Sequence, residues 1–236
     1  MKNKRKISAT KLVQSQGLGS RKDIVKSIQA GALKIDDLII DSPTTLIDRS
    51  VLGFEWNSKY HFFMEKVLII MNKQSGFECS HKPTHHSSVF ELLPQEYINR
   101  EVQCVGRLDV DTSGLLLLTD DGDINHKFCS PKSHLEKEYH LRCEDTLDQT
   151  IVDQLIEGVE LKSEKGIFKA KRAELKQDGS IAMVITEGKY HQVKRMLGAT
   201  GHRVNYLHRM SMGDLTCEGL KPGEWRVIDA STCFSE

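Results

Sequence analysis

The densest group of side chains able to do chemistry runs from Gly106 to Asp123, GRLDVDTSGLLLLTDDGD. Asp109, Asp111, Asp120 and Asp121 stand close on either side of the leucine run Leu115–Leu118. Local spacing leaves three uses for these carboxylates. The first is structural: aspartates at the ends of a buried strand form turns, because their short side chains bond to nearby backbone N–H groups. The second is a calcium loop, with Asp109, Asp111, Ser113 and Gly114 at its first, third, fifth and sixth positions and Asp120 at its twelfth. That loop wants a bidentate glutamate last and an amphipathic helix on each side, whereas Asp120 is shorter and Leu115–Leu118 reads as a strand. The third use is catalytic, and it needs partners from elsewhere in the chain.

The elements that must position those partners can be read from pattern. Lys11 to Gln16 predicts a short helix ended by Gly17 and Gly19. Ser20 is a good N-cap, with Asp23 completing a capping box. Ile24, Val25 and Ile28 follow at helical spacing to Gly31, so Arg21, Lys22 and Lys26 point outward, where phosphates can reach them. Leu33–Ile35 and Leu38–Ile40 flank Asp36-Asp37, a tight turn between two strands. Asp48 to His61 carries mixed signals and is read as a linker. Val67–Met71 and Leu115–Leu118 predict buried strands, and Ser180–Thr186 another strand. Leu147–Val159 predicts a helix with Ile151 and Leu155 on one face. Tyr190–Ala199 predicts a second, with Val193, Met196 and Leu197 inward and Gly201 ending it. Strands and helices mix without strict alternation, which predicts an α+β fold. The expected domains are residues 1–58, a small unit with its linker, and residues 59–236.

Composition narrows the class. Hydrophobic residues are 39% and charged residues 28% of 236, an ordinary globular balance. No apolar run approaches ~18 residues and no signal-peptide core follows the basic start, so neither a membrane span nor export is expected, and the expected location is the cytoplasm. Six cysteines, none in a C-x-x-C pair, are expected to be free thiols without a zinc site. Net charge is zero, but its distribution is uneven: residues 1–34 hold nine Lys/Arg against Asp23, and residues 186–209 hold five Lys/Arg and three His against Glu187. Two positive surfaces on a neutral protein fit nucleic acid, and solvated surface charge fits the same counts.

Four ordered blocks then carry a resemblance. GRLDVDTSGLLLLTDDG closely resembles the signature of bacterial pseudouridine synthases of the small-subunit rRNA (RsuA) type. Ser130-Pro131 with Glu136-Lys137-Glu138-Tyr139 is similar to that family's second block. Glu187-Gly188-Lys189-Tyr190-His191-Gln192-Val193-Lys194-Arg195-Met196 is similar to its third, and Leu207-His208-Arg209 with Leu220 to Trp225 to its closing elements. The first fifty residues resemble the family's αL RNA-binding module. Two departures stand out. Asn72-Lys73-Gln74-Ser75-Gly76 replaces the family's Asn-Lys-Pro, which removes a rigid proline. Ala9-Thr10-Lys11 and Gly31-Ala32-Leu33 replace Arg-Leu-Asp and Gly-Arg-Val, which removes two basic contacts from the module.

The resemblance implies a reaction that breaks the bond from ribose C1′ to uracil N1 and joins C1′ to C5. No redox change occurs and no group is donated, so no cofactor and no metal are expected. It also implies Asp109 as catalytic carboxylate, with attack at C1′, attack on the base and assistance to elimination left open. Lys194 aligns with the cation that holds the carboxylate ionised, against a local reading as an ordinary helix lysine. Tyr139 is implied as a stacking partner for uracil or a general base, against a half-buried strand tyrosine. Arg107 is a candidate for phosphate or for the space left by the displaced base, against a structural salt bridge. Leu197 is a candidate pocket wall or core residue. His191, Gln192 and Arg195 would extend the RNA surface begun by Arg21, Lys22 and Lys26. The expected partner is ribosomal RNA or a small-subunit assembly intermediate, met by a monomer. Two alternatives remain: the same reaction on large-subunit rRNA, and a non-catalytic rRNA-binding assembly factor.

Overall fold

A computed structural model describes residues 6–130 and 133–228. Pro131, from the second block, and Cys233 lie outside the described residues. The chain divides into two compact units, Met1–Val67 with Leu93–Val102, and Leu68–Leu92 with Gln103–Glu236.

In the first unit, helices Ala9–Ser15 and Arg21–Gln29 accompany a sheet ordered Leu38–Ile40, Leu33–Ile35, Gly53–Trp56, Lys59–Phe62. Ser20 starts the second helix: its Oγ accepts the Asp23 N–H at 3.3 Å and donates to Asp23 Oδ2 at 2.6 Å. Asp23 thus answers the cap through the hydroxyl. Ile24 and Ile28 are fully buried, while Arg21, Lys22 and Lys26 are exposed as their spacing predicts. Asp36 and Asp37 take φ of 48° and 65°, the paired positive values of a two-residue hairpin turn that short polar side chains tolerate. Asn99 and Arg100 tie Leu93–Val102 to this unit, donating to Gly17 O at 2.8 Å and Gln16 Oε1 at 3.0 Å.

The linker expected over residues 48–61 is instead a β-hairpin. Gly53–Trp56 pairs antiparallel with Lys59–Phe62 around Asn57 and Ser58, whose φ values are 50° and 64°. Phe54 and Trp56 point into the core, but Leu52, Tyr60 and Phe62 are apolar and exposed. Those outward apolar residues blur the alternation that marks a half-buried strand. A boundary after residue 58 falls in this turn, and the unit runs on to Val67.

In the second unit, nine strands among the described residues form one mixed sheet. Its main path is Arg172–Leu175, Ile181–Ile185, Lys137–Cys143, Val204–Met212, Ser113–Thr119, Leu68–Lys73, Trp225–Ile228. Gln103–Val105 and Leu215–Thr216 pair beside it. Ser113–Thr119 runs parallel to Val204–Met212, and the other pairings are antiparallel. The fold is α+β. Leu115–Leu118 are fully buried, which is the state expected of an unbroken leucine run in a central strand covered on both faces. Each such side chain contributes about 1.5–3 kcal/mol of burial. Helix Gln149–Glu157 is capped by Asp148 and buries Ile151, Val152 and Leu155. Helix Gln192–Ala199 buries Val193, Met196 and Leu197. It begins two residues later than the sequence pattern predicts, because His191 sits at φ 50° and ends any helical path through it.

Candidate active site

Asp109 lies on the loop that delivers the chain into the strand Ser113–Thr119. The loop closes on itself where the Thr112 N–H bonds to Asp109 O at 3.1 Å. Lys73, the last residue of Leu68–Lys73, is fully buried beneath it. Its ammonium lies 2.8 Å from Thr112 O, 3.1 Å from both Asp109 O and Val110 O, and 3.2 Å from Gln74 O. Three N–H bonds are shared among four carbonyls, three of them on the loop. Burial pushes the Lys73 ammonium below its ordinary value, against the opposing charges of Cys79, Asp111 and Asp109. The Gly76 N–H adds a bond to Val110 O at 2.7 Å. The Gln74-Ser75-Gly76 turn that replaces the family's proline is therefore pinned to the Asp109 loop through its backbone.

The Asp109 carboxylate meets two partners from the opposite side. Lys194 Nζ is 2.9 Å from Asp109 Oδ2, and His191 Nε2 is 3.2 Å from Asp109 Oδ1. Lys194 also reaches Asp111 Oδ1 at 2.5 Å. The left-handed backbone at His191, uncommon for a residue with a Cβ, starts the helix that carries Lys194. Its ring stacks on Tyr190 with centroids 3.8 Å apart. Burial works to lower Lys194, but bonds to Asp111 and Asp109 more than offset it and leave the ammonium above its ordinary value. Burial likewise works to raise Asp111, and Lys194 more than offsets it, leaving that carboxyl below its ordinary value. The side chains of Asp109 and Lys194 are 24% and 21% exposed, so the pair is sheltered yet reachable. Beside it, Glu160, Lys162, His191, Lys194, Arg195, Gly198 and Ala199 line a cleft of ≈ 470 Å³.

The two carboxylates also decide the calcium reading. Ser113–Thr119 is a strand where the ion's loop would have to bend, and Asp109 and Asp111 both bind the chain's own Lys194. Farther along the sheet, Tyr139 pairs with Arg209, which pairs with Gly114. This row runs from the tyrosine to the strand that leaves the Asp109 loop. Gly114 takes φ 101°, and a Cβ there would meet Arg209 O at 2.3 Å, so the glycine allows the approach.

The predicted site residues have separate fates. Asp109, Lys194 and His191 come together, with His191 on the carboxylate. Tyr139 is 8% exposed within the sheet. Arg107 is exposed just before Leu108-Asp109. Arg195 donates to Tyr190 O at 3.2 Å and to Lys162 O, and lies 3.5 Å from Glu164 Oε1, which draws its guanidinium to the protein. Gln192, expected on the RNA surface, lies inside, where it accepts the Lys189 N–H at 2.9 Å and donates to Glu187 Oε2 at 3.0 Å; Leu197, a candidate pocket wall or core residue, is fully buried. Lys73 was not among the predicted residues. The signal available was a lysine closing the apolar strand that begins at Leu68, a place where a charge must find buried acceptors.

Comparison with known proteins places the sequence and the fold. The family described as RNA pseudouridylate synthase matches residues 67–199. The ribosomal small subunit pseudouridine synthase A of Vibrio cholerae is 34% identical over 210 residues, covering 89% of this chain and 90% of that one. Its namesake from Yersinia pestis is 35% identical over 217 residues, covering 91% and 92%. A crystal structure of a pseudouridylate synthase superposes with a TM-score of 0.66 at 32% identity, covering 96% of this chain and 97% of the other. Sequence, span of match and fold agree that the chain belongs to the RNA pseudouridylate synthase family, as a member of its RsuA type.

Proposed function

We propose that this chain isomerises one uridine of small-subunit ribosomal RNA to pseudouridine, as a cytoplasmic monomer, with Asp109 as the catalytic carboxylate. The observation that carries the reading is the Asp109 environment: a loop clamped from below by Lys73, and a carboxylate held from the other side by Lys194 and His191. The Lys194 ammonium, 2.9 Å from Asp109 Oδ2, supplies the cation that the resemblance expects beside this carboxylate. The names of relatives at 34–35% identity favour small-subunit rRNA over large-subunit rRNA.

A stacked uridine is out of reach of a carboxylate in a cleft, so the target base is flipped, at a cost of a few kcal/mol (~). Phosphate contacts from Arg21, Lys22 and Lys26, which are exposed, offset that cost without reading sequence. Arg107, also exposed, fills the space left by the base or holds its phosphate. Tyr139 acts from the sheet as the stacking partner of the uracil ring.

The test is carbodiimide labelling with primer extension on ribosomal RNA from cells lacking the protein. One stop in small-subunit rRNA disappears in that strain and returns with the wild-type gene. Asp109→Asn restores folded protein without the stop, a rate loss of at least about 10²–10⁴-fold. A mark restored by that variant removes Asp109 from catalysis. Unchanged small-subunit rRNA in the deletion strain removes the substrate assignment.

A further inference from the structure

The reaction leaves Tyr190 unused, although it stands next to the residue that bonds to Asp109. At 71% exposure it is the most exposed large apolar side chain of the second unit among the described residues. Its ring is nevertheless held. It stacks on the His191 imidazole with centroids 3.8 Å apart and planes inclined by 19°. The Nε2 of that imidazole is 3.2 Å from Asp109 Oδ1. Carboxylate, imidazole and phenol ring form one continuous series that starts at Asp109 and ends in solvent. One face of the phenol ring rests on the imidazole, and the exposure leaves the other face bare.

The backbone beneath the ring is fixed on both sides. The Lys189 N–H donates to Gln192 Oε1 at 2.9 Å, and the Gln192 N–H donates back to Lys189 O at 3.1 Å. Tyr190 O accepts from Arg195 Nη1 at 3.2 Å. Glu164 takes Lys189 Nζ at 3.3 Å and Arg195 Nη1 at 3.5 Å, so one carboxylate ties both ends of the turn. These bonds keep His191 at φ 50°, a conformation that a residue with a Cβ holds only where its neighbours impose it, and such backbone strain gathers at functional sites. A ring fixed in this way loses little further freedom when a second ring is laid on it. The surroundings say which kind of ring fits. The cleft beside His191 is lined by Lys162, Lys194 and Arg195 against a single carboxylate, Glu160. A bare aromatic face beside excess positive charge suits a nucleobase on its phosphate chain. An aromatic side chain of a protein partner brings no charge to match those cations.

We propose that the bare face of Tyr190 is a stacking site for an unpaired RNA base next to the target uridine. The inference rests on the reading of Asp109 as the carboxylate that meets that uridine. One ring separates the stacked base from the imidazole on Asp109, a spacing that neighbouring nucleotides of one strand can span. Stacking uses the flat face that every base has, so the site fixes the position of the strand and leaves its sequence unread. A flipped uridine pulls its neighbours out of their own stacks, and a ring waiting beside the carboxylate replaces one of the contacts they lose.

The test uses the full chain and small-subunit rRNA from cells lacking the protein. Tyr190→Leu should raise KM about tenfold, with the loss falling on KM rather than on kcat. Tyr190→Phe keeps the ring without its hydroxyl and should recover most of that affinity. Tyr190→Trp places a fluorescent ring at the site. Single-stranded polyadenylate should quench it beyond the response of the wild type, which carries only Trp56 and Trp225. An unchanged KM in Tyr190→Leu overturns the proposal. So does a loss confined to kcat, which would make the ring a support for His191 on Asp109. A phenylalanine variant as poor as the leucine variant, or a tryptophan variant that polyadenylate leaves unquenched, overturns it as well. A wrong choice of substrate shows differently, as no turnover by the wild type, and the quenching then decides the stacking by itself.

Discussion

Helix Arg21–Gln29 and the loop Gly106–Thr112 both depend on cations, and they use them in opposite ways. Arg21, Lys22 and Lys26 are exposed and make no ion pair among the described residues. Lys73 and Lys194 are taken up by the protein's own oxygens, four carbonyls for the first and two carboxylates for the second. A free surface cation gains by releasing counterions from a phosphate chain, so its effect fades with salt. An enclosed cation acts over a few ångströms where salt screens little, and its effect is geometric. The same residue type thus stands free on the surface in one region and shapes the Asp109 loop in the other.

The sharpest test of that division is Lys73→Met. It keeps the length and the burial but removes the N–H bonds that Lys73 gives to Asp109 O, Val110 O and Thr112 O, leaving the backbone bonds to Asp109 O and Val110 O in place. Buried carbonyls that lose a charged donor cost free energy, and a loss of about 1–3 kcal/mol in denaturant unfolding is expected. Pseudouridine formation should fall even where the variant remains folded at low temperature, because the backbone that carries Asp109 loses its clamp. Added salt should rescue neither effect. Unchanged stability would mean that water or a shifted loop satisfies those carbonyls, and the contrast between the two regions would weaken.

A smaller effect, of a different kind, is expected from Arg21→Ala, Lys22→Ala and Lys26→Ala combined. These side chains are exposed, so stability should stay within ~0.5 kcal/mol of wild type. The log–log slope of RNA affinity against salt should drop by about 2–3, since each lost phosphate contact removes ~0.7–0.9. Turnover at saturating RNA should hold. A salt slope equal to wild type would take this helix out of the RNA surface and leave its charge as solvated decoration.

This contrast also marks what sequence could reveal. The exposed helix was legible because its information is local: Ser20, Asp23, Ile24 and Ile28 lie within nine residues, and spacing alone turns Arg21, Lys22 and Lys26 outward. Asp36-Asp37 was legible for the same reason. The hairpin Gly53–Phe62 was not, because its outward face carries Tyr60 and Phe62 where a strand pattern expects polar residues. For the site, family resemblance joined Asp109 to Lys194 across 85 residues. It set Lys73 against the lysine of the family's Asn-Lys-Pro but gave it no role, because that role depends on the sheet register that sets it opposite Gly114. His191 was assigned to RNA because helical spacing groups it with Lys194 and Arg195. A single left-handed residue breaks that helix and turns the imidazole to Asp109. Such backbone detail leaves little trace in composition or periodicity.

The smallest expected effect tests how firmly Lys194 is held. Asp111 is 69% exposed, so its pairing with Lys194 contributes at most about 1 kcal/mol after solvent screening. The sign follows from the two shifts. Asp111 is held below its ordinary value, so its contribution is present above the ordinary carboxylate range and disappears as pH falls through the folded value. Lys194 is held above its ordinary value, so its contribution is present at neutral pH and fades only in alkali. The stability difference between wild type and Asp111→Asn should therefore be constant around neutrality and shrink below about pH 4. Urea unfolding of both proteins across that range measures it. Turnover at neutral pH should change little, because Lys194 keeps its bond to Asp109 when Asp111 is neutral. A large loss of turnover with stability intact would instead make Asp111 part of the catalytic arrangement, so that two carboxylates around Lys194 share the work now assigned to Asp109.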